Sequence, residues 1–119
     1  GDTVDVIIDL GFDLTKKERV RLAGIDTPES RTRDLEEKAM GLEAKDHLVA
    51  MLESSDKLIV KTKKDGKYGR MLGWFYKDED AKYSINEIMI EQGYAWKYDG
   101  GKKEKDLQTL RDRRKAPNE

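Results

Sequence analysis

The sequence RLAGIDTPE (residues 21–29) marks the place where an alternating strand becomes a tight turn. Residues 19–23 alternate polar and apolar side chains, with Val20 and Leu22 on one face, which predicts a half-buried strand. Fully extended, residues 21–29 would span roughly 26 Å from first to last. The charged residues of this segment can therefore act together only if the chain bends. Gly24 and Pro28 are the residues suited to bend it.

The same segment carries groups that suit a cation and a phosphate. Hard cations such as Ca²⁺ prefer carboxylate and carbonyl oxygens, and Asp26 with the carbonyl of Thr27 supplies both. Asp2 could add a second carboxylate from a neighbouring strand. Glu29 is then a candidate general base, and Arg21 is a candidate partner for phosphate oxygens. The alternative, from the residues alone, is a strand-end turn in which Asp and Pro serve local backbone bonding.

A second candidate cluster is Lys67-Tyr68-Gly69-Arg70, which follows a turn and leads into a strand. Arg70 can present its planar fork to a phosphate, and the glycine allows close backbone approach. Tyr68, and Tyr98 further along the chain, could pack against a base or a sugar. The alternative is an ordinary charged hairpin.

The rest of the chain has the pattern of short strands and three helices. Asp34 and Ser84 each begin a capping box, so each is predicted to open a helix, and a last helix is predicted over residues 103–115. The remaining strand-like segments are residues 3–8, 58–60 and 71–76. This order predicts an α+β fold, a small antiparallel β-barrel with three helices, as a single domain over residues 1–119. Because the chain opens at the edge of a strand, we expect a first N-terminal strand to be missing.

Composition narrows the chemistry that the chain can perform. Among its 119 residues there is no cysteine and one histidine, His47, which excludes disulfides, thiolate nucleophiles and a three-histidine zinc site. Hydrolytic chemistry then has to rest on carboxylates, arginines and a hard metal. The net charge is −1, yet basic residues cluster in 57–70 and 102–115, either as a basic groove or as solvated surface. No apolar run is long enough for a transmembrane helix, and we expect no membrane partner.

Two other pairs of residues have ordinary structural interpretations. Glu43 and His47 are four residues apart on a predicted helix, but no further ligand lies near them in sequence, so we interpret them as a surface or packed pair. Trp74 and Trp96 are predicted to be core residues rather than stacking platforms, because large aromatic side chains dominate small cores.

Taken in chain order, these motifs resemble the staphylococcal nuclease (thermonuclease) family. Each motif is weak alone, but the ordered set covers nearly the whole chain. The matching segments are Gly1-Asp2-Thr3, residues 21–29, Gly41-Leu42-Glu43-Ala44, residues 67–70, Asn86-Glu87 and Gln92-Gly93. The family usually has a strand and an aspartate immediately before the position of Gly1, in keeping with the expectation of a missing first strand.

The resemblance implies an OB-fold barrel with three helices, a monomer that hydrolyses single-stranded or locally unpaired DNA and RNA with Ca²⁺. It implies that the metal is held by Asp2, Asp26 and the carbonyl of Thr27, and that Glu29 is the general base for the attacking water. It implies that Arg21 and Arg70 bind the phosphate and stabilise its transition state, that Lys67 and Tyr68 contact nucleotide phosphate, and that Tyr98 packs on the base. The residue types are consistent with this reaction, because two arginines and a divalent cation can offset the charge that builds during attack on a phosphodiester.

Two alternative functions are considered beside hydrolysis. Barrels of this family also occur as binding modules that have lost the acids and arginines, whereas Asp2, Asp26, Glu29, Arg21 and Arg70 are all present here. A barrel that only binds single strands would instead carry exposed aromatic residues on its strands.

Overall fold

The computed structural model describes residues 3–55, 58–64, 71–98 and 106–115, which contain six strands and three helices. The strands are β1 (Thr3–Gly11), β2 (Leu14–Leu22), β3 (Ile25–Asp26), β4 (Ile59–Lys64), β5 (Met71–Tyr76) and β6 (Trp96–Lys97). The helices are α1 (Leu35–Glu53), α2 (Ile85–Glu91) and α3 (Leu107–Lys115). The α+β class with three helices is therefore confirmed.

Both helices predicted from Asp34 and Ser84 begin there, with these residues as N-caps. The Asp34 carboxylate accepts hydrogen bonds from the backbone N–H groups of Glu36 and Glu37, at 3.0 and 3.2 Å. The Ser84 hydroxyl accepts one from the backbone N–H of Glu87 at 3.1 Å. These bonds satisfy N–H groups that a helix start leaves without an intrahelical partner. Within the described ranges, no helix combines the length and the apolar character needed to cross a bilayer.

One strand pair differs from the small antiparallel barrel that we predicted. Four strands form one sheet in the order β1-β2-β5-β4, and β3 pairs with β6 in a second sheet. β2 and β5 run parallel, with Leu22 opposite Gly73, and β4 runs antiparallel to β5. The chain between β2 and β4 passes through β3 and α1, the kind of long crossover that a parallel pair requires. In the described part of the chain the sheet does not close, since β1 and β4 are its edges. An apolar groove separates these edges, lined in part by Val6, Leu58 and Val60.

The main core lies between one face of the four-stranded sheet and helices α1 and α2. Its buried members include Val20, Leu22, Ala44, Leu48, Phe75, Ile85 and Met89. A second cluster, of Met40, Trp96 and Leu110, lies under helix α3, so the prediction that Trp96 is a core residue is confirmed. The same prediction for Trp74 is wrong. Trp74 is half-buried and belongs to neither cluster, because it alternates with the buried Phe75 along β5 and so lies on the opposite face of the sheet.

Candidate active site

Arg21 lies at the end of β2, where the chain turns into β3. Its side chain is 8% exposed, and its guanidinium donates hydrogen bonds to the backbone carbonyls of Leu22 and Ile25, at 3.2 and 3.1 Å. Gly24, between them, has φ of +76°, a conformation that glycine adopts without strain. The bend predicted at Gly24 is therefore present, and Arg21 holds the two sides of the turn together.

Asp26 and Thr27 follow directly after this turn and are buried, with 2% and 3% of their surface exposed. Asp26 lies in β3, opposite Trp96 of β6, so a second strand fixes the backbone that carries its carboxylate. A buried carboxylate is costly unless a charge or hydrogen bonds compensate it. Its oxygens, and the peptide carbonyl of the next residue, are donors of the type that Ca²⁺ prefers.

The chemistry of these two donors fits a hard cation, but they do not form a complete metal site by themselves. Among the residues that the structure describes, no three side chains of His, Cys, Asp or Glu come together as a metal-binding group. The further carboxylate predicted for this site, that of Asp2, lies outside the described residues.

Glu29 is exposed, but its backbone is anchored to helix α1. Its N–H donates a hydrogen bond of 3.0 Å to the carboxylate of Glu37. Gly41 of α1 approaches so closely that a Cβ atom added there would lie 2.7 Å from the carbonyl carbon of Glu29 and 2.7 Å from the carbonyl oxygen of Pro28. The sequence therefore presents a carboxylate to solvent on a segment that the helix holds in place.

Tyr98, which is distant from Arg21 in the sequence, lies beside it in the structure. Its backbone N–H donates a hydrogen bond of 2.8 Å to the carbonyl of Gly24, and its ring centroid lies 5.4 Å from the Arg21 guanidinium carbon. This distance is that of a cation–π contact. The structure thus brings the predicted base-packing residue together with one of the predicted phosphate-binding residues.

The other predicted site residues, Lys67, Tyr68 and Arg70, also lie outside the described residues. The first residue described after them is Met71, which pairs with Val20, and Leu72 pairs with Arg21 itself. The start of β5 is therefore level with the end of β2, where Arg21 lies.

Asn86 has a positioning role that the sequence did not reveal. Its amide nitrogen donates to the carbonyls of Ala23 and Gly73, at 2.8 and 2.9 Å, and its amide oxygen accepts from the N–H of Phe75 at 3.1 Å. It is 2% exposed. One buried side chain thus joins α2, β5 and the turn after Arg21. A signal was available, because an asparagine in the first turn of an apolar helix needs buried partners.

Glu43 and His47 form packed contacts rather than a shared cation site. The His47 ring stacks on the Tyr94 ring with centroids 4.0 Å apart. The Arg114 guanidinium carbon lies 4.2 Å from the centroid of the Tyr94 ring. Arg114 also donates to the Glu43 carboxylate at 2.7 Å and to the carbonyl of Gly93 at 2.8 Å. These contacts attach helix α3 to α1 and to the end of α2.

Comparison with known proteins gives a consistent result. The family described as "Staphylococcal nuclease homologue" matches residues 19–119. A "Staphylococcal-like nuclease" of Arabidopsis thaliana is 40% identical over 86 residues, covering 71% of this chain and 23% of that protein. A "Micrococcal nuclease" of Shigella flexneri is 36% identical over 104 residues, covering 82% of this chain and 53% of that protein. The chain thus spans from about a quarter to about half of the length of these relatives.

Proposed function

The chain belongs to the staphylococcal nuclease homologue family, and on this premise we propose that it is a metal-dependent nuclease that hydrolyses phosphodiester bonds of nucleic acids. The observation that carries the proposal is the segment 21–29, on which a buried arginine, a buried carboxylate and an exposed carboxylate follow one another within nine residues. The names of both relatives support nuclease activity. We further propose that residues 1–119 form one domain.

The proposed cation is Ca²⁺, held by Asp26, the carbonyl of Thr27 and Asp2. The support is that these donors are hard oxygen atoms, which Ca²⁺ prefers, and that the chain has no cysteine thiolate, which softer metals prefer. When bound, the cation would polarise the phosphate and offset the charge that builds on it.

The proposed roles of the protein side chains follow from their chemistry. Arg21 and Arg70 bind the phosphate and stabilise the transition state, because a guanidinium matches phosphate oxygens in geometry and charge. Glu29 takes the proton of the attacking water, a role that its exposure and its anchored backbone support. Lys67, Tyr68 and Tyr98 hold the nucleotide. The proposed substrate is DNA or RNA that is single-stranded or locally unpaired, and the proposed enzyme is a monomer.

The experiment is hydrolysis of single-stranded DNA and RNA by the purified chain in Ca²⁺, with chelator and Zn²⁺ as comparisons. We expect turnover in Ca²⁺, loss of turnover on chelation, and less turnover in Zn²⁺. Glu29→Gln should lower kcat by about 10²–10⁴-fold, whereas Glu53→Gln, a change of another exposed carboxylate at the end of α1, should not. Oligonucleotide binding without hydrolysis in any cation would instead establish a binding module.

A further inference from the structure

The face of the four-stranded sheet that points away from the main core carries lysines and aromatic side chains. Directly paired residues of neighbouring strands point to the same face of a sheet. In this register Arg21 of β2 lies beside Leu72 of β5, which lies beside Lys63 of β4. The next pair on the same face is Trp74 beside Lys61. The candidate active site therefore continues, strand by strand, onto this face.

Lys61 and Lys63 give this face a positive charge that its neighbours do not offset. Both are exposed, and within the described residues neither forms an ion pair with an acid. The other side chains that β4 and β5 place on this face are apolar or aromatic: Ile59, Leu72, Trp74 and Tyr76. The nearest acids on the same face are Asp5 and Asp9 of β1, on the far side of β2. A polyanion is the ligand that such a surface favours.

The aromatic residues on this face narrow the class of polyanion. Trp74 and Tyr76 are half-buried and contribute to neither core cluster, and the Lys61 ammonium lies 5.2 Å from the centroid of the Tyr76 ring. Cations that follow a backbone, combined with aromatic rings on which bases stack, are the means by which proteins hold single-stranded nucleic acid. An acidic peptide would use the lysines but would gain little from an indole ring.

We propose that Lys61, Lys63 and Trp74 form a subsite for the single nucleic-acid strand adjoining the phosphate held at Arg21. The lysines contact phosphates of that strand, and a base stacks on Trp74. The strands of a sheet are about 4.8 Å apart, so the backbones at Arg21 and Lys63, two strands apart, are separated by about 10 Å. This inference rests on the proposed nuclease function, and it predicts a preference for oligonucleotides over the shortest substrates.

The test compares a dinucleotide, which has one scissile bond, with a single-stranded oligonucleotide of about twelve nucleotides. Lys61→Gln/Lys63→Gln should lower kcat/KM for the oligonucleotide about tenfold and leave the dinucleotide unchanged. It should also flatten the slope of log binding constant against log salt by about 1.4, since each lost phosphate contact on a single strand is worth about 0.7. The matched control is Lys16→Gln/Lys64→Gln, which removes two charges from the opposite face of β2 and β4.

Trp74 is tested by binding as well as by turnover. Trp74→Leu should weaken oligonucleotide binding, measured by fluorescence anisotropy, about tenfold, and should abolish most of the tryptophan quenching that the oligonucleotide causes. Trp74→Phe retains a stacking ring and should restore most of the affinity. Circular dichroism establishes that each variant is folded, and the lysine variants test the subsite even where Trp74→Leu does not fold.

The subsite would be overturned by an equal loss in the control pair, by equal losses on both substrates, or by equally effective competition from an acidic peptide. If none of the subsite variants changes oligonucleotide kcat/KM or binding, while hydrolysis is intact, the subsite is overturned and the proposed function is unaffected. Absence of all hydrolysis contradicts the proposed function, and the anisotropy and quenching measurements then still decide the subsite.

Discussion

Gly41 of helix α1 lies directly against the peptide group of Glu29, so closely that there is no room for a methyl group at this position. A Cβ atom there would be 2.7 Å from the Glu29 carbonyl carbon and 2.8 Å from its oxygen. The obstacles are backbone atoms, so they can yield only if the helix or the loop moves. The position of the proposed general base is therefore set by the helix that packs behind it.

Gly41→Ala tests this relationship. We expect a loss of about 1–3 kcal/mol in the free energy of unfolding from overpacking, together with a fall in kcat because the Glu29 segment is displaced. Ala50→Gly is the control, since it costs about 1 kcal/mol at an exposed position of the same helix and should leave kcat unchanged. Denaturant unfolding and steady-state kinetics provide the measurements. An unchanged kcat in Gly41→Ala would show that the helix does not position Glu29.

Arg21→Lys separates structural from electrostatic contributions at the turn. Lysine keeps the charge but cannot reach two carbonyls with a planar fork, so we expect a loss of about 1–2 kcal/mol in stability and a lower kcat. Arg19→Lys, an exposed change on the same face of β2, should alter stability by less than about 0.5 kcal/mol. Unfolding curves for the two variants give the comparison. Equal stability in both would contradict the clamping role of Arg21.

Asn86→Ala should be among the more destabilising single substitutions. It leaves the Phe75 N–H and the Ala23 carbonyl without their buried partner, and we expect a cost of about 2–4 kcal/mol. Glu91→Ala, on the exposed side of the same helix, should cost less than about 0.5 kcal/mol. The measurement is urea unfolding of both variants. A cost for Asn86→Ala no larger than that of the control would mean that the three hydrogen bonds add nothing to stability.

Arg114→Lys tests the attachment of helix α3. The substitution removes the hydrogen bond to the Gly93 carbonyl and the planar contact with Tyr94, and we expect a loss of about 1–2 kcal/mol. Glu43→Gln removes only the ion pair, whose carboxylate is largely exposed, and should cost less than about 1 kcal/mol. Thermal unfolding and limited proteolysis of α3 would distinguish them. If Glu43→Gln were the more damaging change, the ion pair and not the stacked arginine would hold the helix.

Local features of the sequence determined the elements and the site motif. The capping residues Asp34 and Ser84, the period-two alternation of β2 and the bend at Gly24 each depend on neighbours within a few residues, so the sequence alone predicts them. The segment 21–29 is likewise predictable as a site, because the types and order of its residues are enough to indicate binding of a cation and a phosphate.

Only the tertiary structure decided which partners these elements meet. β5 is apolar on both faces, so its pattern cannot say which face meets the core, and the fold buries Phe75 while leaving Trp74 beside the lysines of β4. The parallel pairing of β2 with β5, the close approach of Gly41 to Glu29 and the three bonds of Asn86 join residues far apart in the chain. Such contacts depend on where packing brings distant segments, and no local pattern contains that information.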